Sequence, residues 1–398
     1  MTSFSFSLLT GETGPLTRAP EPDRLRIPSP CHEPLVREGE TVAAGQKIAA
    51  AEIPGKGDMH APLGGTVENV RTDHIAMTTS GSGLADSGKI PGQGGEPLRE
   101  WLRSMGADVS RLGPARDLIV NAVPPEPGIT AYDPLLRDYR KMLELGLETI
   151  QKFVNPTRTH LIVANGNRAN AFSNCNVVHV PARYPEGLDQ LVLRRVTGRE
   201  YRLDDPLDNA AITNPSELYL IGRLMESGRP ITQTVLTIAG RNVLAHVGTP
   251  VGLLFESADI SPAPGDRVVI GGLMRGITAV NLEQGVNKGD YGLSLVRMGE
   301  YPETSDAFCI GCAECERHCP ARIMPGMISR CAEFKQFHRA EAYQVDSCIE
   351  CGICGYWCTA RRPLLHYIRY AKQELALLRG ACDIPEPDQS KATAGEEA

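Results

Sequence analysis

No stretch of this 398-residue chain approaches the roughly 18 consecutive apolar residues that a membrane-spanning helix needs. Met1 to Leu9 lacks the basic start and long apolar centre of a signal peptide, so the sequence predicts a chain that stays in the cytoplasm. A basic block is missing as well. Lys and Arg number 41 against 48 Asp and Glu, and the resulting net charge of -7 is spread along the sequence. Binding to a phosphate backbone has no electrostatic basis, and no nucleic acid is expected among the partners.

What is present is a soluble, multidomain composition, 41% hydrophobic and 22% charged, enough for about two to four domains. Residues 1–30 are proline-rich, end in Pro28-Ser29-Pro30 and read as an extended arm. From 31 to 78, short apolar pairs alternate with glycine turns, which predicts short strands and tight turns. The phrases Gly39 to Gln46 and His60 to Val67 resemble the barrel-sandwich domain of biotinyl and lipoyl carriers. Those carriers hold their cofactor on a lysine at a hairpin tip, where this chain has Asp58-Met59-His60, so a structural domain is expected. A glycine- and serine-rich connection covers 79–97.

An α/β domain follows over 98–228. Leu118 to Val123 and Thr159 to Ala164 are β-rich runs, and between them Leu135, Tyr139, Leu143, Leu147 and Ile150 keep helical spacing, which together suggest a parallel sheet. Short strands with glycine turns return over 229–295, a compact β-grasp-like unit. Residues 300–380 carry the cysteines and close on a helix lined by Leu364, Ile368, Ala371 and Leu375; a disordered tail is expected over 381–398.

Eight of the twelve cysteines fall between Cys309 and Cys358. Cys309, Cys312, Cys315 and Cys319-Pro320 make a C-x2-C-x2-C-x3-C-P run, and Cys348, Cys351, Cys354 and Cys358 repeat the spacing. Three thiolates so close can hold three corners of one iron-sulfur cube, while the fourth of each run reaches the other cube. Cys309, Cys312, Cys315 and Cys358 are therefore the ligands expected for one [4Fe-4S] cluster, and Cys348, Cys351, Cys354 and Cys319 for the second. Zinc ribbons use two C-x2-C pairs and do not require the third and fourth cysteine of each run. Cys31, Cys175, Cys331 and Cys382 stand outside the pattern and read as small buried hydrophobes.

The whole chain resembles the C subunit of the Rnf electron-transport complex and, more distantly, the flavin-bearing subunit of respiratory NADH dehydrogenase. The two N-terminal phrases above carry the resemblance, with Asn121-Ala-Val-Pro-Pro-Glu126-Pro-Gly-Ile-Thr130, Tyr184-Pro-Glu-Gly187, Thr249-Pro-Val251, Gly271-Gly-Leu-Met-Arg-Gly276, Asn287-Lys-Gly289 and the helix after Cys358. The resemblance implies a multidomain α/β architecture: a barrel-sandwich domain, an α/β domain like the flavin subunit, a β-grasp-like (SLBB) unit and an α-helical two-cluster ferredoxin-like module. It also implies a peripheral subunit on the cytoplasmic face of the bacterial inner membrane. Such a protein passes single electrons to membrane subunits that couple the flow to ion translocation.

Members that oxidise NADH bind FMN and nicotinamide through a G-x-G-G-A-G-F-P phrase before the Asn-to-Glu-Pro strand. Between Leu98 and Leu118 this chain has no glycine cluster, and Asp108 stands where a phosphate would. The departure argues against FMN and NADH binding, leaving Asn121 and Glu126 as a flavin-site remnant and a ferredoxin or cytochrome as the redox protein that exchanges electrons. The alternatives are a soluble flavin and iron-sulfur reductase like the corrin reductases, and an assembly subunit with structural clusters.

Overall fold

A computed structural model describes residues 6–8, 13–81, 83–85, 88–166, 172, 175–305 and 307–382, with only the backbone of 381 and 382; the tail from 383 lies outside the described residues. The chain forms two compact units, 1–301 and 302–398.

Among the described residues the first unit holds four sheets. Strands β1 (Leu16–Arg18) and β2 (Arg24–Pro28) come from the proline-rich opening. They are followed by β3 (His32–Pro34), β4 (Thr41–Val42), β5 (Lys47–Ala51), β6 (Met59–His60), β7 (Gly65–Val70) and β8 (His74–Thr79). Sheets β2-β8-β7-β4 and β3-β5-β6 are antiparallel and share one core of Leu25, Ile27, Ile48, Val67, Ile75 and Met77. Strands this short bury little alone, so two sheets closing on one apolar filling is the stable arrangement.

Helix α1 (Glu96–Ser104) leads into the parallel sheet β11-β10-β9-β12, made of β9 (Asp117–Asn121), β10 (Arg158–Ala164), β11 (Asn176–Val180) and β12 (Ala210–Thr213). Helices α2 (Tyr132–Asp138), α3 (Arg140–Val154), α4 (Asp189–Thr197) and α5 (Pro215–Ser227) complete this region. The helical spacing across 134–154 predicts one helix, but the chain breaks it at Tyr139, whose φ of -121° is not helical. The Tyr139 ring instead meets Tyr219 of α5 edge-on at 5.0 Å. A Cβ at Gly146 would strike the Leu218 carbonyl, so its absence lets α3 and α5 pack backbone to backbone.

The third region contains β13 (Gln233–Ile238), β14 (Arg241–His246), α6 (Val251–Ser257), β15 (Arg267–Ile270), β16 (Ile277–Thr278) and β17 (Gly292–Val296). These strands form a six-stranded mixed sheet, β1-β14-β13-β17-β15-β16, whose edge strand β1 is supplied by the N-terminal opening. Leu236, Ile238, Leu254, Phe255 and Leu293 fill the space between this sheet and α6.

The second unit is helical: α7 (Glu314–Arg317), α8 (Pro325–Glu333), α9 (Phe337–Ala342), α10 (Ile353–Tyr356) and α11 (Leu364–Cys382). Leu364, Ile368, Ala371 and Leu375 recur at helical spacing along α11 and bury against α8, α9 and the cysteine loops. Among the described residues no helix is long and apolar enough to cross a membrane.

Candidate metal centre

The two cysteine runs fold as near copies. Left-handed backbone occurs at Gly311, Ala313 and Arg322, and again at Glu350, Gly352 and Arg361, the same three positions of the repeat. Each run turns twice in this region, before and after its second cysteine, and each places glycine at only one of the two turns. Glycine adopts that backbone without the steric cost that Ala313 and Glu350 bear. A short helix, α7 or α10, then lifts the third cysteine. The fourth lies at the end of that helix, and a proline-led helix, α8 or α11, follows in each half.

The described sulfurs neighbour one another across the two runs: Cys315 lies near Cys309 and Cys358, Cys348 near Cys319, and Cys354 near Cys351, Cys348 and Cys319, with Cys315 further off. Cys319, Cys348, Cys351 and Cys354 also line one small cavity with Pro320, Pro325, Ile349 and Leu365. Among the described residues, no three His, Cys, Asp or Glu groups converge as ligands of a single ion would. Cysteines gathered in this way suit a cube, whose corner ligands stand further apart than those of one ion.

The loops also aim donors at sulfur. The Glu350 amide reaches Cys348 Sγ and the Arg362 amide reaches Cys358 Sγ, both at 3.4 Å, and Thr359 Oγ1 lies 3.6 Å from Cys312 Sγ. The Glu314 amide and Thr359 draw the Cys312 thiol below its ordinary range. Burial pushes Cys348 up to about 11 against the pull of Lys372, and pushes Cys354 higher still. Iron takes such ligands only as thiolates, so loading this site releases protons.

Two charged groups around the loops carried no signal in the cysteine spacing. Arg362 is buried, donating to the Ala307 carbonyl at 2.8 Å and to Glu333 at 2.6 Å, with Tyr367 under its guanidinium. It ties the segment entering Cys309 to the loop leaving Cys358. On the other half, Lys372 donates to the Cys348 carbonyl at 2.7 Å and to Glu350 at 3.0 Å, and Arg369 holds the second oxygen of Glu350 at 2.8 Å.

Of the remaining cysteines, Cys331 is buried in the core of the second unit, Cys175 is half-buried with its thiol pushed up by burial, and Cys31 is exposed. The side chain of Cys382 lies outside the described residues.

The two residues of the flavin-site remnant make internal contacts. Asn121 donates to the Gly187 carbonyl at 2.9 Å and to Asp189 at 2.6 Å. Glu126 is fully buried; it accepts from Tyr291 Oη at 2.5 Å and from the amides of Met274 and Arg275 at 2.7 and 3.3 Å. Burial raises its carboxyl above the ordinary range, partly offset by these donors. Gly272 packs so tightly on this carboxylate that a Cβ there would overlap it.

Segment 105–110, at the place of the missing glycine phrase, is covered by the 53–58 hairpin of the barrel-sandwich region. Val109 donates to the Gly55 carbonyl at 2.8 Å, Lys56 pairs with Asp108 at 2.6 Å, and Gly57 lies directly on Gly106. Burial opposes the charge of Asp58, but Lys47, the Ala51 amide and Arg103 keep its carboxyl below the ordinary range. Lys288 Nζ donates to the Asp58 and Gly106 carbonyls at 2.7 and 3.0 Å, and burial brings it down to about 7. His60 is buried beside them; burial and the Lys288 charge bring it down to about 3.

Residues 10–84 match the family model of the RnfC barrel sandwich hybrid domain. Over 424 aligned positions, covering 90% of this chain and 90% of the relative, the sequence is 26% identical to the C subunit of the proton-translocating ferredoxin:NAD(+) oxidoreductase complex of Clostridium ljungdahlii. Two crystal structures of NAD+-reducing [NiFe]-hydrogenase, air-oxidised and H2-reduced, align at 15% and 12% identity over 64% and 74% of this chain, with TM-scores of 0.40 and 0.41. The chain spans 52% and 65% of those hydrogenase chains, and a likeness this slight carries no argument about chemistry.

Proposed function

We infer that this chain, a member of the RnfC family, is the peripheral electron-transfer subunit of an ion-translocating Rnf-type oxidoreductase complex. Its work is to relay single electrons through two [4Fe-4S] clusters. The observation that supports the reading is the doubled cysteine loop, in which Cys315 neighbours Cys309 and Cys358 while Cys319, Cys348, Cys351 and Cys354 line one small cavity. When bound, such cubes accept and release one electron at a time, with potentials set by hydrogen bonds and charge around the sulfurs. The residues that hold them are Cys309, Cys312, Cys315 and Cys358 for the first and Cys348, Cys351, Cys354 and Cys319 for the second.

The remaining protein parts have roles around that path. The Glu350 and Arg362 amides donate toward ligand sulfurs and stabilise added negative charge. Lys372 places a cation at the Cys348 loop. In the first unit, the six-stranded sheet with α6 is of β-grasp (SLBB) type, and the parallel sheet is the counterpart of the family's flavin domain.

Electrons come from a donor other than NADH. Segment 105–110 does not fit a flavin phosphate: it presents Asp108 and is capped by the 53–58 hairpin, and Asn121 and Glu126 are satisfied within the protein. A ferredoxin or cytochrome is the class of donor or acceptor that suits a chain whose redox centres are cubes, and the cytoplasmic face of the membrane is where it would meet the membrane subunits.

Anaerobic purification with iron, sulfide and flavin analysis tests this. About eight irons per chain, a low-temperature paramagnetic signal on reduction, and no stoichiometric FMN are expected. Stoichiometric FMN, or cluster reduction by NADH, overturns the choice of donor; far fewer irons overturn the clusters.

A further inference from the structure

We propose that the cluster held by Cys309, Cys312, Cys315 and Cys358 is the port through which electrons cross to another protein, and that Phe308 and Ile310 form its docking rim. This rests on the two-cluster reading above.

The near-identity of the two halves supplies an internal control. Ile310 and Ile349 occupy the same position of the repeat, one after the first cysteine, yet Ile310 is 66% exposed and Ile349 is 6% exposed. Phe308 is 78% exposed, where the second half has Ser347. Cys309 and Cys312 are likewise exposed, and their counterparts Cys348 and Cys351 are buried. One backbone design therefore presents one cluster edge to the surface and seals the other beneath Leu365 and the α11 face.

Two further exposed aromatics stand next in sequence to a ligand assigned to the same cluster. Tyr356 and Trp357 precede Cys358 and are partly exposed, and Trp357 stacks flat on His318, its own counterpart in the repeat, with centroids 4.1 Å apart. The charges of α7, which follows Cys312, have both signs, Glu314 and Glu316 beside Arg317, and Glu314 is already paired with Arg317. An apolar rim beside exposed cluster ligands, without a field of one sign, suits a protein that carries its own one-electron centre beneath an apolar patch. Contact of that kind expels water and shortens the distance between centres. One electron passes, oxidising one centre and reducing the other, and no bond forms.

The test uses the complex purified anaerobically through a tag on this chain. A photo-reactive benzoylphenylalanine is placed at position 308 and, as control, at position 377, where Leu377 is 69% exposed on α11. In parallel, Phe308→Ser gives the rim the residue of the other half, Ser347, and Ile310→Ser makes the second rim position polar. Cross-linking from 308 but not 377 to a chain that carries a redox cofactor is expected. Both serine variants should slow electron transfer to that chain about tenfold, with little dependence on salt and with unchanged iron content, paramagnetic spectra and potentials. Cross-links from 308 to residues 1–301 of this chain, to a second copy, to a chain without cofactor, or to nothing overturn the port. So does a rate unchanged by either substitution, or a serine variant whose cluster spectrum is lost. Iron analysis of the parent reports separately on the clusters themselves.

Discussion

Replacing Glu126 by alanine separates a structural joint from a flavin ligand. The buried carboxylate accepts from Tyr291 Oη at 2.5 Å and the Met274 amide at 2.7 Å, with a longer contact to the Arg275 amide at 3.3 Å. Glu126→Ala leaves two strong donors without an acceptor, each costing about 1–3 kcal/mol, and opens a cavity beside Gly272. The expected loss is about 4 kcal/mol. At a urea slope of about 3 kcal/mol/M this moves the unfolding midpoint down by about 1.3 M. Trp101 lies in α1 of the first unit and Trp357 in the second, so Trp101 fluorescence in a Trp357→Phe background follows the affected unit alone. Glu126→Gln keeps one acceptor oxygen and should lose only about 1 kcal/mol. A Glu126→Ala midpoint within about 0.2 M of the parent refutes the joint, and FMN lost on substitution restores the flavin reading.

The crossed ligand sets proposed above make a pairing prediction. Cys319→Ser combined with Cys351→Ser should leave one cluster and about four irons, whereas Cys319→Ser combined with Cys312→Ser should disable both, as read by iron analysis and paramagnetic resonance; the reverse pattern refutes the crossing. Arg362→Met strips Glu333 of its buried partner and frees the Ala307 carbonyl, so the second unit should lose about 3 kcal/mol, read as earlier cluster bleaching on heating. Burial raises the Glu217 carboxyl to about 7, which keeps it protonated in the folded state where the unfolded chain ionises it. The parent should therefore lose stability relative to Glu217→Gln as pH rises from about 4.5 to 7, measured by urea unfolding, and a pH-independent difference would contradict this.

Much of the candidate site was legible because cluster ligation is a local matter of spacing. The positions of the eight cysteines and the apolar stripe Leu364, Ile368, Ala371 and Leu375 are set by residues near one another in the chain. What was not legible depends on distant segments. Helix continuity through Tyr139 gives way to a ring contact with Tyr219, and β1 joins a sheet whose other strands begin more than two hundred residues later. The repeat shows two like halves, but only the packing of α8 and α11 shows that Ile349 is covered while Ile310 is bare. Left-handed backbone at Ala313 and Glu350 had no signal either, since neither residue favours it.

The phrases that carry the family resemblance sit largely at joints within the first unit. Asn121 grips Gly187, Glu126 grips the Gly272-to-Arg275 turn and Tyr291, Thr130 meets Asn242 and Thr237, and Lys288 spans Asp58 and Gly106. Two functional features expected by analogy are missing, the carrier lysine and the phosphate loop, and the segments that lack them are packed against each other. Gly55 and Gly57 precede Asp58-Met59-His60, the stretch that corresponds to the carrier tip, and their bare backbone closes on Ser110 and Gly106. An open glycine cradle at 105–110 would need the space that the 53–58 hairpin now fills. Restoring glycines to 105–110 alone would therefore leave the hairpin in place, with Asp58 still held by Lys47 and Arg103. On the function proposed above, electron traffic falls to the cysteine loops, so the exposure of Cys309 and Cys312 matters more here than the strands that precede them.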